Sequence, residues 1–133
     1  MDIRPPAFVR WVGEAELLES LINEAKARTW VAEAEHAVLT LVTGERPMVM
    51  GGRDGIRFDV EQEAGDRMIM LEVEGRRVRV DRIEWHTHPR VTGPSDGDRE
   101  AVILLKQSVS RIYELGGDRD GTSFGPDKSQ PDA

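Results

Sequence analysis

Four consecutive residues, His86-Thr87-His88-Pro89, restrict the local backbone more than any other stretch of this chain. Side chains at i and i+2 of a strand point to the same face, so an extended backbone presents both imidazoles to one point. Pro89 and then Gly93-Pro94 break the strand and turn the chain. Ser95-Asp96-Gly97-Asp98 leads into a helix-like stretch from Arg99 to Lys106, which lets Asp98 swing back as an oxygen ligand. Two imidazoles and one carboxylate leave the fourth tetrahedral position to water, the pattern of a catalytic zinc site rather than a closed structural one. Bound zinc would lower the pKa of that water to roughly 7.

Hydrolysis at such a site needs two further groups: a base for the water proton and a donor for the oxyanion that forms on a scissile carbonyl. Ser95 is the nearest hydroxyl by sequence. The base should be a carboxylate beside the metal, brought from another strand. Glu35 is the choice, at the start of the apolar run Glu35-His36-Ala37-Val38-Leu39. Glu33, on the same face of the expected strand, and Glu45 compete with it.

Glu35, His86-Thr87-His88-Pro89, Ser95 and Asp98 together resemble the JAMM motif of the JAB/MPN metalloproteases: a distant Glu, then His-x-His-Pro, a short loop and Ser-x-x-Asp. The loop from Arg90 to Pro94 is shorter here than in that pattern. The resemblance implies that His86, His88 and Asp98 bind zinc, that Glu35 is general base, and that Ser95 stabilises the tetrahedral intermediate. It favours Glu35 over Glu33, because the apolar run after Glu35 is where the family's strand continues. The order of elements over roughly residues 7 to 124 is also similar, which implies an α/β fold: a curved mixed β-sheet flanked by two helices, with JAB/MPN-like and cytidine-deaminase-like layering.

The implied activity is that of a zinc peptidase or isopeptidase, typically acting where a ubiquitin-like protein is joined to another chain. Gly51-Gly52 and Thr92-Gly93-Pro94-Ser95 further resemble compact bacterial JAB domains of polymorphic toxins, implying an effector or processing role and a cognate immunity protein as partner. The family also includes inactive, protein-binding scaffolds, which is the alternative function.

Simpler roles exist for each residue. Ser95-x-x-Asp98 reads as a helix-capping box, although the usual third residue is Glu or Gln, and Asp98 also suits a helix N-terminus electrostatically. A lone strand Glu is usually solvated. His36 falls on the strand face opposite Glu35 and reads as structural, and Trp85 as core packing. The joint pattern of two histidines, a proline and an acidic loop is harder to explain without a metal.

A chain of 133 residues is one domain by size, able to bury about two thirds of the surface its unfolded form exposes. With 18 basic against 25 acidic side chains, the formal charge of -7 argues against a nucleic-acid surface. Arg76-Arg77-Val78-Arg79 is the one dense basic stretch, and its alternation suits an exposed strand face. The absence of cysteine removes disulfides and thiolate ligands, so a metal must use imidazole and carboxylate. No apolar stretch approaches the roughly 18 residues of a membrane span, and the N-terminus lacks the apolar centre of a signal peptide. The expectation is a cytoplasmic protein, or one delivered within a larger secreted chain.

Patterning predicts an opening strand over Phe8–Val12 and a helix over Glu14–Arg28, with Leu17, Leu18, Leu21, Ile22 and Ala25 as its buried face. Strands are expected at 30–42, 48–50, 56–60, 68–73 and 78–85, with a solvated acidic loop at 61–66. The glycines of 51–55 read as turn chemistry, since no Walker pattern accompanies them. A second helix over 98–107 should bury Ala101, Val102, Leu104, Leu105 and Val109, and residues 110–115 should return as a strand. The domain is placed at 1–116, with a Gly/Asp/Pro-rich flexible tail at 117–133 in which 122–124 stands apart.

Overall fold

The longest strand organises the molecule. The structure, a computed structural model, describes residues 3–127. We label its elements β1 (Ile3–Arg4), β2 (Ala7–Trp11), α1 (Leu18–Ala32), β3 (His36–Leu41), β4 (Pro47–Met50), β5 (Gly55–Ile56), β6 (Asp59–Glu63), β7 (Asp66–Val73), β8 (Arg76–His88), α2 (Asp96–Leu104), β9 (Ser110–Glu114) and β10 (Thr122–Phe124). β8 spans 13 residues. Its first part pairs with β7, its middle with β3 and its end with β9. The result is a mixed α/β fold with an eight-stranded mixed sheet, in which the order β10-β9-β8-β3-β4-β2 is extended from β8 by β7 and β6. Only the β8–β9 pairing in this sheet is parallel, and α2 supplies its crossover.

Both faces of the sheet are covered. α1 lays Leu21 and Ala25 against Val38, Met48, Trp85 and Tyr113. On the other face, Ala37, Leu39, Leu41, Val49, Val80 and Ile83 form a core against which Ala101 and Leu104 of α2 pack. The residues of β8 reach these two cores through a bulge. Val38 pairs with Trp85, but Leu39 pairs with Ile83, so Glu84 is the extra residue. Strict alternation would send Ile83 and Trp85 to the same face; the bulge separates them.

Two hairpins close on two-residue turns with positive φ at both positions, Ala64-Gly65 and Glu74-Gly75, the geometry whose twist matches adjoining strands. The first of these corrects the expected acidic loop. Asp59–Glu63 is a strand on β7 with each of its residues exposed, tied by ion pairs from Arg77 to Asp59 and Glu61. Arg76 and Arg79 of the basic stretch are likewise exposed and pair with Glu45 and Asp66.

α1 starts and ends later than expected. Glu14–Glu16 lie in the turn before it, where the Glu16 carboxylate accepts the Gly13 N–H, and Leu17 and Leu18 are exposed. Trp30–Ala32 continue the helix instead of opening a strand. In α2 the buried side is Arg99 and Val102, and Val109 lies exposed beyond the helix. Thr122–Phe124 adds antiparallel to β9, and Arg99 donates to the carbonyls of Gly125 and Asp127. The tail expectation for 128–133 lies outside the described residues. Among the described residues, no helix is long and apolar enough to cross a membrane.

Candidate metal centre

The sheet register builds the site. β3 and β8 run antiparallel with Ala37 opposite His86, so continuing that register by two residues sets Glu35 beside His88. On the opposite edge of β8 the parallel register pairs His88 with Glu114. His88 therefore has a carboxylate on each flank, Glu35 Oε2 at 3.7 Å from Nε2 and Glu114 Oε2 at 2.9 Å from Nδ1. His86 and His88 point to one face, as their spacing requires, with their Nε2 atoms 3.1 Å apart.

Asp98 completes the group from α2. Ser95 is the N-cap: its Oγ accepts the Asp98 N–H at 3.0 Å, and its own N–H donates to Asp98 Oδ2 at 2.9 Å. This capping box also aims the carboxylate. Asp98 Oδ1 stands 3.2 Å from His86 Nε2, and Oδ2 stands 3.3 Å from His88 Nε2. The structural and functional readings of Ser95-x-x-Asp98 thus describe one arrangement. The cap fixes the rotamer that turns Asp98 toward the histidines.

Glu35 is held by its backbone. Its N–H donates to Gly52 O and its carbonyl accepts from Gly51 N–H, at 2.9 and 2.8 Å. Glycine is required at 51, because a Cβ there would lie 2.3 Å from Ile56 Cγ1 and 2.7 Å from Gly55 O. Glu33, the competing base, is the left-handed C-cap of α1 and pairs with Arg53 on the surface. Glu45 pairs with Arg76. His36 turns to the α1 side, where its Nδ1 meets Thr29 Oγ1 and Ala34 O, and burial pushes its pKa down. Trp85 is buried with its ring edge-on to Tyr113.

Glu35, His86, His88 and Asp98 bring one ligand atom each within 4.8 Å of one another and could hold a metal ion. The donor set fits a small tetrahedral cation. Bonds of about 2.0–2.1 Å to nitrogen and oxygen imply tetrahedral edges of roughly 3.3 Å; the two histidine Nε2 atoms are 3.1 Å apart, and Asp98 sets Oδ1 3.2 Å from His86 and Oδ2 3.3 Å from His88. Glu35 sits slightly outside this triangle. Comparison with known proteins returns no matching family model, curated protein or solved structure.

The electrostatics follow from burying two acids with two imidazoles. Burial pushes the Glu35 carboxyl up to about 7, against the opposing pull of His86 and His88. For Asp98, burial acts in the same direction but is outweighed by the charge of His86 and hydrogen bonds from both histidines and Ser95 N–H, which hold it well below the usual carboxylate range. Burial depresses His88, yet Asp98, Glu35 and Glu114 together raise it to about 9. The two acids are thus pushed apart, Asp98 toward its ionised form and Glu35 toward its protonated form.

Sequence reasoning missed Glu114. Besides His88 Nδ1, its Oε2 accepts the N–H groups of Thr92 and Gly93 at 2.8 and 2.9 Å. A neutral His88 therefore keeps its proton on Nδ1 and offers Nε2 as a lone pair to the cluster. The same carboxylate anchors the short loop between Pro89 and Ser95. Its one sequence signal is an acid closing the run Ile112-Tyr113-Glu114-Leu115. Phe124 was also missed; its ring stands edge-on to His86, with centroids 6.1 Å apart.

Proposed function

We propose that this chain is a zinc-dependent peptidase or isopeptidase that hydrolyses an amide bond of a protein substrate. The observation that carries the reading is the buried triangle of His86, His88 and Asp98 with Glu35 set just outside it. The wider 3.7 Å spacing of Glu35 from His88 supports reading Glu35 as the proton acceptor and the other three as ligands, the division of labour metal-assisted hydrolysis requires. Zinc, when bound, supplies Lewis acidity and lowers the pKa of a water to roughly 7. Cysteine-free imidazole and carboxylate donors suit zinc better than calcium or magnesium, which favour all-oxygen sets.

The remaining chemistry belongs to the chain. Glu35 takes the proton of the attacking water and returns it to the leaving amine. Ser95 Oγ spends a lone pair on the Asp98 N–H, so its hydroxyl hydrogen is free to donate to the oxyanion on the scissile carbonyl. Glu114 holds the His88 ring in place. The JAMM-like pattern adds a substrate class, the amide joined to a ubiquitin-like C-terminus, and a biological setting as toxin effector or processing domain with an immunity partner.

Zinc titration of the purified chain, followed by cleavage assays on peptides and ubiquitin-like conjugates, tests the proposal against a binding scaffold. The enzyme reading expects Glu35→Gln to retain zinc while losing about 10²–10⁴-fold in turnover. Absence of cleavage by the zinc-loaded native chain would favour the scaffold, and failure to bind zinc would remove the metal centre altogether.

A further inference from the structure

A cavity of about 310 Å³ opens directly from the cluster on its α2 side. Glu35, His86, Ser95 and Asp98 line it, together with Asp54, Asp96 and Ser110. Its apolar lining comes from Ile56 and Phe58 in the segment after β4, Ile83 from β8, Ala101 and Val102 from α2, and Phe124 from β10. A second cavity, of about 200 Å³, adjoins the cluster and shares Glu35, Asp54 and Ser95 with the first. Its remaining lining is Arg53, Pro89, Arg90, Thr92 and His88, which brings two arginines to the cleft. The larger cavity therefore holds the aromatic and larger aliphatic side chains beside the residues proposed to act on the amide, and the smaller one adds arginines.

We infer that the larger cavity is a specificity pocket for a branched aliphatic or aromatic side chain on the residue flanking the scissile amide. This rests on the hydrolase reading and favours a peptide amide with a bulky flanking residue over the glycine-ended junction of a ubiquitin-like conjugate. A cavity of roughly 150 Å³ lined by aliphatic and aromatic side chains already accommodates benzene, so the volume here admits a leucine or phenylalanine side chain. Binding sites of this type combine predominantly apolar walls with a few polar groups. This cavity has that mixture. A glycine in the flanking position would leave the walls uncovered and forgo their burial.

The pocket is also built from segments far apart in sequence. Ile56 is held where its side chain faces the space by the contact with Gly51, and Phe124 enters only because β10 pairs with β9. Phe124 touches both the pocket and the His86 ring. A side chain filling the pocket would thus press on the wall that supports one of the proposed ligands, coupling occupancy to the alignment of the site.

The test uses the full zinc-loaded chain and matched fluorogenic peptides carrying Gly, Ala, Leu or Phe on each side of the cleaved bond. At one of the two positions Leu or Phe should exceed Gly in kcat/KM by roughly tenfold to a hundredfold. Ala101→Leu, which fills the pocket, should collapse that ratio, and Phe58→Ala, which enlarges it, should shift preference toward Phe. Binding supplies a second readout that needs no turnover: titrating N-acetyl-leucinamide and N-acetyl-glycinamide into the native chain should perturb NMR signals of Ile56, Ala101 and Phe124 with the leucine compound alone.

Cleavage with equal rates for all four residues, and no leucinamide response, would overturn the pocket while leaving the hydrolase reading intact. Leucinamide binding at these residues without cleavage of any peptide would leave an apolar binding pocket but defeat the hydrolase reading, and with it the pocket's role in choosing a scissile bond. Neither binding nor cleavage would overturn both.

Discussion

Glu114 Oε2 lies 2.9 Å from His88 Nδ1, on the strand that runs parallel to β8, and the same oxygen receives the Thr92 and Gly93 N–H groups. The carboxylate orients the ring and fixes the following loop at once. Partners of this kind raise ligand basicity, and their loss typically costs about 10–100-fold in metal affinity. Glu114→Gln keeps the shape but not the charge. It should weaken zinc binding within that range, read by competition with a chromophoric chelator. Unchanged affinity in a folded variant would reduce Glu114 to a loop anchor.

Ser95 combines two roles that substitution can separate. Replacing an N-cap serine by alanine costs about 1 kcal/mol, whereas glycine costs only a few tenths. Ser95→Gly should therefore nearly preserve the denaturation midpoint while removing the hydroxyl donor. Turnover should fall by about 10²–10³-fold, the usual loss for one oxyanion donor. If hydrolysis survives at near-native rates, the serine serves the helix alone.

The site was legible in the sequence because its main constraints are local. His86 and His88 share a strand face by their spacing, and Ser95 and Asp98 share a helical first turn. Glu35 needed the β3–β8 register, and Glu114 needed the β8–β9 register. Neither pairing is written in a period-two pattern, and the bulge at Glu84 breaks that pattern within β8.

The helix shift has a similar origin. Thr29-Trp30-Val31 carries strand-favouring residue types, yet Thr29 buries its hydroxyl against Thr87 and His36, at 2.6 and 3.1 Å. Tertiary contact overrides propensity there. Asp59–Glu63 has poor strand propensity, and its identity as β6 comes from a tight hairpin and cross-strand charge.

Gly51 read as simple turn chemistry, but its contacts make it a support for the site. A methyl group at Gly51 would collide with Ile56 and the Gly55 carbonyl, displacing the segment whose N–H and C=O groups hold Glu35. Gly51→Ala should cost about 1–3 kcal/mol, the range for overpacking, measured by urea denaturation. Its effect on turnover should exceed its effect on zinc affinity, because Glu35 lies outside the ligand triangle. Equal losses in both would mean that the disturbance spreads to the histidines.

Acid stability should depend on a cluster at the opposite end of α1. Arg10 hydrogen-bonds both Glu16 and Glu24 and is the largest of the contacts that, with the Gly13 N–H on Glu16 and Arg28 on Glu24, hold each carboxyl at about 2 instead of the ordinary 4.5. A depressed folded pKa means that the stabilisation is fully present above 4.5 and is lost as pH falls through 2. Arg10→Met should therefore show a stability deficit that is constant from neutrality down to about 4.5 and narrows toward 2, followed by urea midpoints across that range. Asp98 also titrates below its ordinary value, but it is present in both proteins and cancels in the difference. Since Glu16 and Glu24 are 33% and 30% exposed, high salt should shrink the deficit. Parallel stability curves for the two proteins at every pH would show that the Arg10 contacts contribute nothing to the acid limb.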